Sequence, residues 1–257
     1  MRKILSGGDS FIWGSELLDC SSCAPLGFSK LTFPSLLGDS YHCVAFPGSG
    51  NESIARRVID YCETNLTSGL FVVVCWTFSG RYEFKFESGW NSINSWSAGN
   101  FYDTDDIQNI EVQRQIDRTK DLGNFDFAKA YFKHIGWSEY WETYTTLKSI
   151  VYLQNYLLLK KIPFLFTCAD NSFLVNHTYK SDDVSIVSLK KQIDFEKWYM
   201  FPGATESWNT TEPRGFYQWA VENKYKCGPQ NHPLEDAHQT AAELMREKFN
   251  ELVKKSL

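Results

Sequence analysis

Near its start the chain runs Lys3-Ile4-Leu5-Ser6-Gly7 into Gly8-Asp9-Ser10, and Phe11-Ile12-Trp13-Gly14-Ser15-Glu16-Leu17 follows. A short apolar run that closes on two glycines, an acid and a hydroxyl predicts a strand ending in a tight turn that presents Ser10. A serine so placed can act as a nucleophile if a base lies within reach. The same residues can instead cap the following helix, with Asp9 or Ser10 accepting from its first N–H groups. Further on, Cys20 and Cys23 form a C-x-x-C. That spacing is half of a metal or redox site; with no second pair at zinc spacing and no nearby histidine, neither a metal nor another cofactor is expected.

The elements that must position Ser10 follow from hydropathy. Leu31–Leu37 shows helix-like apolar spacing and ends on Gly38-Asp39. Tyr41–Phe46 reads as a buried strand that enters Pro47-Gly48-Ser49-Gly50-Asn51-Glu52-Ser53, after which Ile54, Val58, Ile59 and Cys62 recur at helical spacing. Leu70–Trp76 is an unbroken apolar run of the kind found in central parallel strands, and it ends at Thr77-Phe78-Ser79-Gly80-Arg81. A long helix is predicted over Tyr140–Lys160, then a strand over Ile162–Ala169 ending on Asp170-Asn171-Ser172. Helix-like fragments occur near Ser188–Tyr199, and a loop at Cys227–Pro233 precedes a helix over Leu234–Leu252. Repeated strand, loop and helix predict an α/β fold with a doubly wound, mainly parallel sheet, whose ligands sit beyond the carboxyl ends of the strands.

Residues 82–140 break this rhythm. The stretch is rich in aromatics, including Trp90, Trp96, Phe101 and Tyr102, with a helix expected near Asp105–Leu122. It reads as an insertion over the site, either a lid or sugar-stacking platform or a small satellite core of rings.

Composition bounds the function. With 257 residues, 43% hydrophobic and 16% aromatic, the chain can bury the core of a single domain spanning 1–257. A net charge of −5 leaves no electrostatic footprint for nucleic acid or an anionic membrane surface. Met1-Arg2-Lys3 is followed by too few apolar residues for a signal peptide, and Gly69–Trp76 is too short to span a bilayer, so a cytoplasmic protein is expected. Seven cysteines in such a chain imply reduced thiols, with Cys43, Cys75 and Cys168 as core residues.

Taken together, Gly8-Asp9-Ser10, Gly48-Ser49-Gly50-Asn51, the turn at Thr77 and His232-Pro233 resemble, in order and spacing, the blocks of the SGNH (GDSL-type) hydrolases. Trp76-Thr77 and Arg81-Tyr82-Glu83 are also similar to the phage-encoded SGNH-like branch. The resemblance implies a three-layer α/β/α sandwich with a flavodoxin-like sheet and a serine-dependent ester hydrolase without cofactor. It implies Ser10 as nucleophile, the N–H groups of Ser10 and Gly50 as oxyanion donors, and His232 as base. His238, three residues after Glu235, is the alternative base. The substrate implied is a small ester or an acylated glycan.

Two departures from the family's pattern stand out. The acid expected two or three residues before His232 is replaced by Gln230 or Pro229, leaving Gln230, Asp9, Asp170 or Asp236 as possible orienting groups. The expected oxyanion asparagine falls on Thr77-Phe78-Ser79, leaving Thr77, Ser79 or Asn51 as donors. These changes motivate a rival reading, an impaired SGNH-fold protein that binds a glycan or a protein partner. A nucleotide-binding flavodoxin-like protein is disfavoured because the glycine turns lack a G-x-G-x-x-G or a Lys-Ser/Thr.

Overall fold

The computed structural model describes residues 2–20, 27–87, 89–98, 110–174, 183–203 and 214–255. Its strands are β1 (Lys3–Gly7), β2 (Ser40–Cys43), β3 (Leu70–Trp76), β4 (Arg81–Phe86), β5 (Gly89–Asn94) and β6 (Phe164–Cys168). Four of them make a parallel sheet in the order β2-β1-β3-β6, while β4 and β5 pair antiparallel as a separate hairpin. The helices are α1 (Ser10–Trp13), α2 (Asn51–Thr64), α3 (Ile110–Asp121), α4 (Phe125–Tyr131), α5 (Glu139–Leu159), α6 (Val184–Gln192), α7 (Phe216–Glu222) and α8 (Glu235–Lys255).

Every residue of β3 is buried, because alternate side chains point to opposite faces of the sheet and both faces are covered. Phe71, Val73 and Cys75 join Ile4 and Leu165 against α7 and α8. Leu5, Val72, Val74, Trp76 and Phe166 pack on the other face against α2, α5 and α6. The protein is therefore an α/β fold with a parallel sheet flanked by helices. Its central position and full burial place the carboxyl end of β3 beside that of β1, where Gly7 pairs with Val74.

The insertion has its own architecture. Tyr82, Ile93, Ala98, Ala128 and Phe132 form a third core, with Phe84, Tyr131 and Trp141 packed against it. The satellite core thus forms, while Trp90 remains half exposed. Arg56 of α2 ties the hairpin to the main body by a two-pronged bond to Glu83, both arms at 2.8 Å.

Several boundaries differ from the sequence expectation. The helix expected over Leu31–Leu37 is a single 3-10 turn at Ser35–Leu37, since Pro34 leaves little room for a longer one. The strand expected over Tyr41–Phe46 ends at Cys43. The hairpin β4–β5 and helix α7 were not anticipated. Cys23, Phe101, Tyr102 and the first part of the helix expected from Asp105 lie outside the described residues. Among the described residues no helix is long and apolar enough to cross a membrane.

Candidate active site

The carboxyl end of β1 is held in place by Asp9, which is only 1% exposed. One of its oxygens accepts from Phe11 N at 3.0 Å and caps α1. The other accepts the Thr77 hydroxyl at 2.6 Å and the Arg81 guanidinium at 3.0 Å. Thr77 is fixed in turn by Asn51, whose amide oxygen accepts Thr77 N at 2.9 Å and whose amide nitrogen donates to Thr77 O at 3.2 Å. This buried network joins the loop after β1 to the loop after β3. Capping and presentation are thereby divided between neighbours: Asp9 caps the helix, and Ser10, its first residue, lines an open cleft.

Beyond α1 the chain turns at Gly14, with φ 80°, and Glu16, with φ 71°, lies in the left-handed region. There a side chain other than glycine's costs roughly 1–2 kcal/mol, so the surroundings must over-determine the conformation. They do so at the carboxylate. Glu16 accepts Gln230 N at 3.0 and 3.1 Å and His232 N at 3.4 Å, and Oε2 lies 2.7 Å from His232 Nδ1. The loop supplying these donors is itself closed by Gly228 N on His232 O at 2.8 Å and Asn231 N on Gly228 O at 2.9 Å. Gly228 leaves room for the carboxylate, since a Cβ there would sit 2.5 Å from Glu16 Cδ.

With the Glu16 carboxylate accepting, the hydrogen between them belongs to Nδ1, and in a neutral imidazole Nε2 then keeps its lone pair. That is the tautomer a general base requires. His232 is 8% exposed, and its ring packs edge-on against Phe11, with centroids 5.4 Å apart. Ser10 and His232 line the same cleft of about 760 Å³, together with Phe46, Gly48, Phe78, Tyr217 and residues of the β4–β5 hairpin. Among the described residues no hydrogen bond joins Ser10 Oγ to His232.

The remaining sequence candidates take other roles. His238 is not a base: it is 1% exposed, its Nδ1 accepts Phe33 N at 3.2 Å, and burial, with a smaller push from His232, lowers its pKa to about 3. Gln230 acts through its backbone N–H on Glu16 rather than through its amide on His232. Asp9 is engaged by Phe11, Thr77 and Arg81 instead of the histidine, and Asp170 caps Ser172 N at 2.8 Å. Asp236, in the first turn of α8, makes no hydrogen bond to His232 among the described residues.

The oxyanion candidates divide. The Thr77 hydroxyl is committed to Asp9 and the Asn51 amide to Thr77 and Thr146, so neither is free to meet a substrate. Ser79 donates to Glu142 at 3.2 Å, a carboxyl whose pKa is raised by burial. The N–H groups of Ser10 and Gly50 have no protein acceptor among the described residues. Gly50 caps α2, and a Cβ on it would strike Arg81 O at 2.3 Å. Its small size serves the passage of the Arg81 backbone.

Glu16 is the candidate residue that sequence reasoning missed. Its partner lies 216 positions away, whereas the family pattern directs attention to the residues just before the histidine. The available signal was local, an acid two residues after Gly14 on the serine's own segment. No group of three or more His, Cys, Asp or Glu side chains able to hold a metal ion occurs among the described residues. In comparisons with known proteins, no family model matches the chain and no curated protein matches it.

Proposed function

We propose that the protein is a serine-dependent ester hydrolase of SGNH type, with Ser10 as nucleophile, His232 as general base and Glu16 as the residue that orients the base. The three-layer, flavodoxin-like arrangement belongs to the same reading. The observation that carries it is the 2.7 Å contact between Glu16 and His232 Nδ1, made at the edge of a cleft that Ser10 also lines. This contact supplies an acid in place of the one whose absence before His232 motivates the rival reading of an impaired protein.

In the reaction, Ser10 Oγ attacks the acyl carbon as its proton passes to His232 Nε2. The N–H groups of Ser10 and Gly50 stabilise the negative charge that develops on the carbonyl oxygen. His232 returns the proton to the departing alcohol, leaving an acyl group on Ser10. Water then attacks the acyl carbon, giving its proton to His232, and Ser10 leaves with that proton restored. Glu16 holds the ring and stabilises the imidazolium formed twice in each cycle.

Purified protein is expected to hydrolyse short p-nitrophenyl esters and to label at Ser10 with a fluorophosphonate, both lost in Ser10→Ala with the thermal midpoint retained. Turnover that survives in Ser10→Ala removes the serine from the mechanism. Well-folded protein that neither turns over nor labels supports instead the rival, a binder of glycans or proteins.

A further inference from the structure

Arg57 of α2 lines the cleft that holds Ser10 and His232. Its guanidinium lies over the Phe46 ring, 4.7 Å from the centroid, and its Nε is buried with no acceptor among the described residues. Its neighbours are differently placed. Arg56 bonds Glu83 and Asp60, each at 2.8 Å, and Arg81 bonds Asp9. Glu83 faces the cleft too, but Arg56 occupies both of its oxygens. Arg57 therefore carries a positive charge with no carboxylate partner among the described residues.

Such an arrangement costs stability unless something offsets it. Burial, with Arg56 alongside, lowers the pKa of Arg57 in spite of the nearby Glu83 and Asp60 carboxylates, which records the penalty of holding that charge there. A guanidinium held over a ring keeps its donors in one plane, the geometry that pairs with a planar carboxylate. Arg118, exposed on α3, lines the cleft as well and adds positive potential on the approach. The polar side chains of Ser92 and Asn94 supply further neutral lining.

We infer that the substrate is an ester that also carries a carboxylate, bound by Arg57 while Ser10 attacks the acyl carbon. This rests on the serine-hydrolase reading and narrows it to acidic esters. The free carboxylate takes no part in bond making; it fixes the ester in register with the serine.

The test pairs mono-p-nitrophenyl succinate with p-nitrophenyl butyrate, and 4-acetoxybenzoate with phenyl acetate, so that the charge sits on the acyl side or on the alcohol side. Wild-type protein is expected to favour the charged member of one pair in kcat/KM by about tenfold or more. Arg57→Gln is expected to reduce that ratio by at least a comparable factor. A ratio that stays within twofold of wild type overturns the inference, as does wild-type protein with no preference in either pair. Binding is read separately by titrating monomethyl succinate into Ser10→Ala protein, with and without Arg57→Gln. Affinity that weakens tenfold with Arg57→Gln supports the carboxylate site even if no ester is turned over, in which case the hydrolase reading alone fails. Affinity unaffected by Arg57→Gln overturns the carboxylate site whatever the kinetics show.

Discussion

The two walls of the cleft are built on different principles. One is made from residues 9–16 and 227–232, where the Asp9 and Glu16 carboxylates have named donors on both oxygens and Glu16 and Asn231 hold left-handed backbone. The other comes from α2, the β4–β5 hairpin and α3, where Trp90 is half exposed and Arg57 lacks a carboxylate partner. The first wall spends its carboxylates on itself; the second pairs Arg56 with Glu83 but leaves Arg57 without a carboxylate partner among the described residues. Rigid placement suits bond making, in which small displacements of a base cost large factors in rate. Unspent donors suit recognition, in which the partner completes the hydrogen bonding.

That contrast can be broken most severely at Glu16. Glu16→Gln preserves shape but lets an amide N–H face the ring, favouring the tautomer that cannot take the serine's proton. kcat is expected to fall by ~10⁴, as for loss of the acid from serine triads generally, with KM little changed. A loss below tenfold in steady-state kinetics would remove Glu16 from the relay.

Gly228→Ala is a subtler test. Its Cβ meets only the movable end of Glu16, so the fold tolerates it while the carboxylate is pushed off His232. A drop of about 10² in kcat is expected with less than about 1 kcal/mol of stability lost. Unchanged kcat would show that the Glu16 contact is dispensable. An equal perturbation at Arg57 should alter the choice among esters rather than the turnover machinery, which is the contrast between the walls in kinetic form.

The smallest effect concerns stability beneath the first wall. His238 has a folded pKa of about 3, against an ordinary value of about 6.5 in the unfolded chain. Between those limits the unfolded chain takes up a proton that the folded protein refuses. Stability present above about pH 6.5 is therefore lost on acidification, by up to about 1.4 kcal/mol for each pH unit. Urea midpoints measured from pH 7 to pH 4.5 should fall less steeply in His238→Gln than in wild type. Parallel slopes would assign the acid sensitivity to other groups.

What was legible in the sequence was local. β1, β3 and β6 show as apolar runs, and Ser10 shows as the end of a strand followed by a helix start, because neighbouring residues determine both features. The hairpin was harder. Tyr82, Phe84 and Phe86 do alternate, but the crowd of rings around them reads equally as a loose aromatic cluster until β5 supplies partners. His238 looks like an exposed helix position by its polarity, and only packing against Phe33 and Phe216 buries it. Gly50 is conspicuous beside Gly48, yet the backbone it accommodates is that of Arg81, in a different turn. Glu16 was illegible for the most general reason. A hydrogen bond between residues 16 and 232 leaves no periodicity for hydropathy to reveal.

The separation of Glu16 from His232 also bears on synthesis. Chains emerge from the ribosome N-terminus first, at about 5–20 residues per second, and begin to fold as they appear. Residues 10 and 16 are made more than two hundred positions before residue 232. On the proposed reading, the nucleophile and its orienting acid therefore stay without a base until the loop at Gly228 closes over Glu16.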